Sequence, residues 1–226
     1  MLLRHLFFGS IGLLLFPALA GTLETLLSLL AALQTDPVQG QTLLTFLAGG
    51  ALWLLIFLFL PQPFRSYVLA HELSHALAAW LSGARVQHLR IGKNGGSVEV
   101  SHAGLFITLA PYLLPFYSLL LLAVTATAGL FTDVSAWTPY LPFALGFTGS
   151  FHLCFTLQAL AAGQSDIRPY GPLGAYPLIA LGNLLFLLAG LLLLIPGELP
   201  ESLLMLARNL TDAYRTLWRQ ISTQIQ

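Results

Sequence analysis

Six long apolar stretches constrain this chain more than any other feature. Residues 6–32, 42–60, 64–82, 105–130, 138–161 and 173–195 are dominated by Leu, Ala, Phe, Val and Ile. A helix needs roughly 20 such residues to cross a bilayer. In lipid, only helices and closed barrels satisfy their own backbone groups. Charged residues make up 8% of the chain and hydrophobic residues 57%, whereas soluble domains carry about 25% charged residues. The pattern predicts an all-α polytopic membrane protein with about six transmembrane helices. Nine Lys+Arg balance nine Asp+Glu, so no basic footprint points to nucleic acid. The single cysteine, Cys154, excludes an internal disulfide and a cysteine-only metal site. Met1, Arg4 and the apolar run to Ala20 resemble a signal peptide, but apolar character continues through Leu33. An uncleaved first helix is expected.

Between the stretches lie recognisable breaks. "QTDPVQGQ" (34–41) and "PQP" (61–63) are turns built on Pro and Gly. Gly83 is placed to end the third helix in the left-handed conformation. Pro111 and Pro115 fall inside the fourth stretch and predict a kink or break there. Gly146, Gly149 and Ser150 offer close helix contact in the fifth. Residues 84–104 do not read as helix. Alternating residues around Asn94-Gly95-Gly96 predict a small membrane-associated β-hairpin over 86–100. Beyond residue 195 the character changes: Leu203, Leu206, Leu210, Ala213, Leu217 and Ile221 recur near helical spacing, with Arg208, Asp212, Arg215 and Arg219 on other faces. Residues 196–226 thus predict a C-terminal amphipathic helix, lying on the membrane surface or packed on the protein itself. Residues 1–195 are expected to form one integral-membrane domain.

The third stretch contains "YVLAHELSHALAAW" (67–80). A charged residue near a helix centre costs at least ~2.5–3.5 kcal/mol on the insertion scale, and intramembrane ionisable residues default to function. His71-Glu72-Leu73-Ser74-His75 is H-E-x-x-H. Histidines at i and i+4 share a helix face and can grip one metal ion. Zinc accepts imidazole nitrogen, and a catalytic site keeps one position for water. Glu72 can reach that water without ligating the ion, take its proton during attack, and pass it to a leaving amine.

A catalytic zinc needs a third protein ligand. Four polar residues at segment boundaries qualify by type. Asp133, in "FTDVS", reads as a turn cap, and Glu99 as part of a solvated strand. Asp166, in "GQSDIRPYG", reads as a helix cap, a partner for Arg168, or a ligand. His152 lies deeper in apolar sequence, as a ligand, a supporting group, or a donor to a backbone carbonyl.

Three segments together are similar to the site-2 protease family of intramembrane zinc metalloproteases, in its compact branch without a PDZ domain. They are "HELSHALAAWLSG" (71–83), "GGSV" (95–98) followed by "LAPYLLP" (109–115), and "GQSDI" (163–167). The resemblance covers residues 64–195 loosely. It implies a metalloprotease-like domain with its core at 64–195. It further implies one Zn2+ per chain on His71, His75 and Asp166, with Glu72 as catalytic base. The family commonly holds its aspartate in a Leu-Asp-Gly context; here it is Ser-Asp-Ile, followed by Arg168 and Pro169, so His152 stays open as an alternative ligand or supporting group. The hairpin residues Asn94, Gly95, Gly96 and Ser97 would align an unfolded substrate strand by edge pairing. Asn183 is open between a substrate contact and an ordinary interhelical one.

The expected activity is hydrolysis of peptide bonds in membrane-spanning protein substrates within the lipid bilayer. Selectivity would come from the hairpin, the helices or a regulatory membrane partner. The alternatives are a membrane metal-ion transporter and a metal-binding sensor or scaffold without proteolysis. A transporter is expected to show several ionisable clusters and often an inverted repeat; the sequence shows one cluster and no repeat. The compact architecture suggests a multi-pass protein of a prokaryotic plasma membrane.

Overall fold

The computed structural model describes residues 2–92, 95–195 and 199–224. The helices are α1 (Leu2–Leu14), α2 (Phe16–Leu33), α3 (Pro37–Phe59), α4 (Phe64–Leu81), α5 (Leu105–Leu113), α6 (Phe116–Gly129), α7 (Leu141–Ala162), α8 (Pro172–Leu194) and α9 (Leu199–Gln224). Strands β1 (Val86–Ile91) and β2 (Gly96–Val100) separate α4 from α5, and a 3-10 turn at Thr138–Tyr140 leads into α7.

Among the described residues, four helical stretches are long and apolar enough to cross a membrane: Leu2–Leu33, Pro37–Phe59, Thr138–Ala162 and Pro172–Leu194. The pair α5 and α6, bent by 81° at their break, makes a fifth if counted as one span. The count by length and composition is therefore four to five, against the expected six. The missing one is α4, whose 18 residues include Arg65, His71, Glu72 and His75. The α5–α6 bend follows from proline chemistry. Leu114 leaves the helical region, and Pro115, which has no N–H to donate, restarts the chain as the N-cap of α6.

The described residues up to Leu43, together with those from Arg168 onward, form one compact unit; Leu44–Ile167 form a second. In the first unit α1 packs on α8, and α2 packs on α8 and α9. A Cβ on Gly12 would overlap the Leu173 carbonyl, so only glycine permits that approach. The C-terminal helix packs on the protein. Asn209 Nδ2 donates to Thr25 Oγ1 at 3.0 Å, and the Tyr214 hydroxyl donates to the Leu14 carbonyl at 2.9 Å, beside the α1–α2 junction. Arg208, Asp212, Arg215 and Arg219 are left exposed.

The second unit carries the H-E-x-x-H helix. Trp53 of α3 packs with Phe151 and Phe155 of α7, and Tyr67 of α4 stacks on Phe155 with centroids 4.6 Å apart. On its other side α4 meets α5 through small residues: Ala78, Ala79 and Ala110 are fully buried, with Ile107 beside them. Close packing of small side chains is what binds helices together where lipid removes the hydrophobic drive. α4 ends in a Schellman turn. Gly83 takes φ +73°, Gly83 N donates to the Trp80 carbonyl, and Ala84 N donates to the Ala79 carbonyl at 2.8 Å. Ala84 then joins the alanine cluster, which turns the chain back toward α4.

The returning chain is the expected hairpin. β1 and β2 pair antiparallel, with Leu89 opposite Val98, Arg90 opposite Ser97 and Ile91 opposite Gly96. An irregularity between Val86 and His88 shifts the register. Asn94, at the predicted turn, lies outside the described residues.

Of the three residues offered for close contact on α7, two serve it. A Cβ on Gly146 would overlap the Phe46 carbonyl, and Ser150 Oγ lies against Gly50, whereas nothing lies within 4 Å of a Cβ on Gly149. Gly146→Ala is therefore expected to destabilise the protein by about 1–3 kcal/mol, the usual cost of overpacking. Gly149→Ala should be near neutral. Thermal unfolding of the two variants in detergent checks the contrast.

Candidate metal centre

The site is built from two helices, a hairpin and one irregular segment, all within Leu44–Ile167. The helical repeat of α4 puts His71 and His75 on one face, their ring centroids 4.9 Å apart and their planes at 83°. Asp166 arrives from the segment between α7 and α8. Its Oδ2 lies 3.3 Å from His71 Nε2 and 3.5 Å from His75 Nε2. Among the described residues these three form the one group of His, Cys, Asp or Glu whose ligand atoms converge, all within 4.8 Å of one another. Ligands held about 2.0–2.2 Å from a tetrahedral ion stand about 3.3–3.5 Å from each other. The two carboxylate–imidazole distances match that spacing.

The hydrogen bonds around the cluster decide its chemistry. His75 Nδ1 lies 2.7 Å from the Ile107 carbonyl oxygen. A carbonyl only accepts, so Nδ1 carries the proton. In the neutral ring Nε2 is then a bare lone pair, turned toward a carboxylate oxygen that also only accepts. Two acceptors at this distance need a cation between them, either a proton or a metal. This is the donor set zinc takes in hydrolytic sites, two imidazoles and a carboxylate. When the cation is a proton on the histidines, their hydrogen bonds and charge outweigh the effect of burial and hold the Asp166 carboxyl well below the usual carboxylate range. The Tyr67 hydroxyl lies 3.4 Å from His71 Nδ1, and its ring lies across the His71 ring at 5.5 Å.

Glu72 follows His71 on α4 and is buried at 6% exposure. Its cover is strand β2. A Cβ built on Gly96 would stand 2.5 Å from Glu72 Cγ and 2.8 Å from Oε1. The hairpin backbone can lie this close to the carboxylate only because residue 96 has no side chain. Gly95 and Ser97, its neighbours, are exposed.

The remaining sequence candidates separate. His152 lies on α7, where it lines a cavity of about 20 Å³ together with Tyr67, His71, Ser74, Thr148 and Thr156. That space suits about one water molecule. His152 does not belong to the converging group. Glu99 is exposed on β2, opposite His88. Asp133 caps its own turn: Oδ1 accepts from Ser135 N and Oδ2 from Ser135 Oγ, both at 2.9 Å. Those bonds hold its carboxyl below the ordinary value. Asn183 belongs to the other unit, where Nδ2 donates to the Ile179 carbonyl at 2.8 Å.

Two participants were not singled out from sequence. One is the Ile107 carbonyl, which no side-chain motif can reveal. The other is Tyr112, whose hydroxyl donates to Asp166 Oδ2 at 3.1 Å. Its signal was present in "LAPYLLP": a tyrosine within apolar helix needs a partner for its O–H.

Residues 45–145 match the family described as Peptidase M50B-like. The resemblance to site-2 proteases is thereby shown over a segment that holds α4, the hairpin, α5 and α6. Asp166 lies beyond the matched residues. No curated protein and no solved structure matches the chain. With four helices of crossing length among the described residues, the matched segment belongs to an integral membrane protein.

The Gly96 contact yields a direct test. Gly96→Ala is expected to displace Glu72 while leaving the histidines and Asp166 in place. Metal content should stay at the wild-type level. Any hydrolysis that depends on Glu72 should fall at least about tenfold, or ~1.4 kcal/mol in activation free energy. Elemental analysis and peptide turnover on one preparation check both.

Proposed function

We propose that this chain, built on an M50B-like core, is an intramembrane zinc endopeptidase acting on membrane-spanning proteins. The observation that carries the reading is the convergence of His71 and His75 with Asp166, a residue far away in sequence, beside a buried glutamate. His71, His75 and Asp166 would hold one zinc ion per chain. Bound there, zinc supplies Lewis acidity, lowering the pKa of a coordinated water toward ~7 and stabilising charge on the scissile carbonyl oxygen.

The other work falls to the chain's own residues. Glu72 is the general base: it takes the proton of the attacking water and delivers it to the leaving amine nitrogen. Its burial under Gly96 limits competing bulk water. The Ile107 carbonyl keeps His75 in the tautomer that leaves Nε2 free. Each strand of the hairpin has one edge unpaired by the other. An extended substrate segment can add to such an edge through main-chain hydrogen bonds. Gly96 lies against Glu72 on that path, its neighbours Gly95 and Ser97 would share the role, and Asn94 is assigned to it from sequence. A helical substrate must unwind locally to pair in this way.

In this reading α4 is a sixth hydrophobic helix, shielded from lipid by its neighbours and too polar to cross unaided. The charged outer face of α9 would meet headgroups at the membrane surface. A prokaryotic plasma membrane and a regulatory membrane partner complete the setting, both resting on the compact architecture.

Glu72→Gln is expected to keep zinc and to lose cleavage by several orders of magnitude; unchanged peptide turnover in that variant would sink the mechanism. Elemental mass spectrometry of the purified protein should give one zinc per chain. That zinc should be lost in His71→Ala, His75→Ala and Asp166→Ala and retained in His152→Ala. Loss with His152→Ala and retention with Asp166→Ala would replace the third ligand.

A further inference from the structure

Tyr112 follows Pro111 in α5, and only 1% of its surface is exposed. Its hydroxyl is the donor and the Asp166 carboxylate the acceptor, at 3.1 Å. The oxygen that accepts is Oδ2, the same one that faces His71 Nε2 and His75 Nε2. The tyrosine ring also stands edge-on to the His71 ring, with centroids 5.5 Å apart. One turn and a half earlier on the same helix, the Ile107 carbonyl orients His75. α5 thus touches all three candidate ligands.

Asp166 needs such support more than the histidines do. They are fixed by α4, whereas Asp166 lies in a turn between helices. Apart from the histidines and Tyr112, its carboxylate meets the Ser165 hydroxyl, 3.4 Å from Oδ1. That is too long for a strong bond.

We infer that Tyr112 is a positioning residue for the metal centre, its hydroxyl fixing the rotation of the Asp166 carboxylate so that Oδ2 faces both imidazoles. The inference rests on reading the cluster as a zinc site. Tyr112 then sets how tightly the ion is held and leaves the proton chemistry to Glu72. Hydrogen-bond partners of metal ligands carry ~10–100-fold in metal affinity.

The test is the zinc dissociation constant of the full chain in detergent, measured by competition with a chromophoric chelator for wild type and Tyr112→Phe. Turnover is followed as free zinc is raised, and the thermal midpoint of the zinc-free form is measured alongside. Phenylalanine keeps the ring and removes only the donor. The expected result is zinc bound about 10–100-fold more weakly, an unchanged zinc-free midpoint, and turnover restored at saturating zinc. Equal zinc affinity in the two proteins would overturn the inference. So would turnover that stays low at saturating zinc with affinity unaltered, which would put the hydroxyl on the substrate. A zinc-free midpoint that falls together with affinity would mark a packing role and overturn it as well. A wild type that binds no zinc removes the metal-site reading itself, so the two failures are distinct.

Discussion

A carboxylate and two imidazoles cannot sit among apolar helices without partners, and the second unit of this protein is arranged around supplying them. The hydrogen bond from His75 Nδ1 to the Ile107 carbonyl is the pivotal one. It decides the tautomer, which leaves Nε2 as a lone pair facing the Asp166 carboxylate. Two acceptors so placed repel unless a cation lies between them. The site's chemistry therefore follows from a backbone carbonyl on a helix that carries none of the ligands.

That carbonyl is where it is because α4 and α5 approach closely, and they do so through alanines. Ala78, Ala79 and Ala110 are buried without remainder. Larger side chains there would separate the helices and take Ile107 and Tyr112 out of reach of the site. The Schellman turn at Gly83 serves the same geometry, since it reverses the chain and brings β2 back across Glu72. Gly96 closes the arrangement by having no side chain where the carboxylate lies. Small residues thus set the distances on which the ionisable ones depend.

Much of this was legible in the chain. H-E-x-x-H has its meaning because the helical repeat returns to one face after four residues. The alternation around Asn94-Gly95 and the two prolines of "LAPYLLP" marked the hairpin and the α5–α6 break. Other features were hidden for physical reasons. Apolar composition alone made α4 look like a span, yet its ionisable face keeps it below the apolarity of its neighbours. The amphipathic pattern of residues 199–224 fits a lipid surface and a protein surface equally, because both are apolar. Only the Asn209–Thr25 and Tyr214–Leu14 bonds show that α9 packs on the protein. Tyr112 was passed over because a hydroxyl's partner is a matter of three-dimensional proximity.

The sequence by itself determined the membrane class, the helix that carries the paired histidines and glutamate, and the hairpin beside it, since these depend on local composition and short-range periodicity. It also narrowed the candidates for a third ligand to a few residues. Only the tertiary structure decided which of them meets the histidines. Asp166 and His75 are brought together by the packing of α4, α5 and α7, and no local rule relates residues so far apart along the chain. It decided likewise that His75 offers Nε2 and that Glu72 lies beneath a glycine, because tautomer and burial are properties of neighbours rather than of residues.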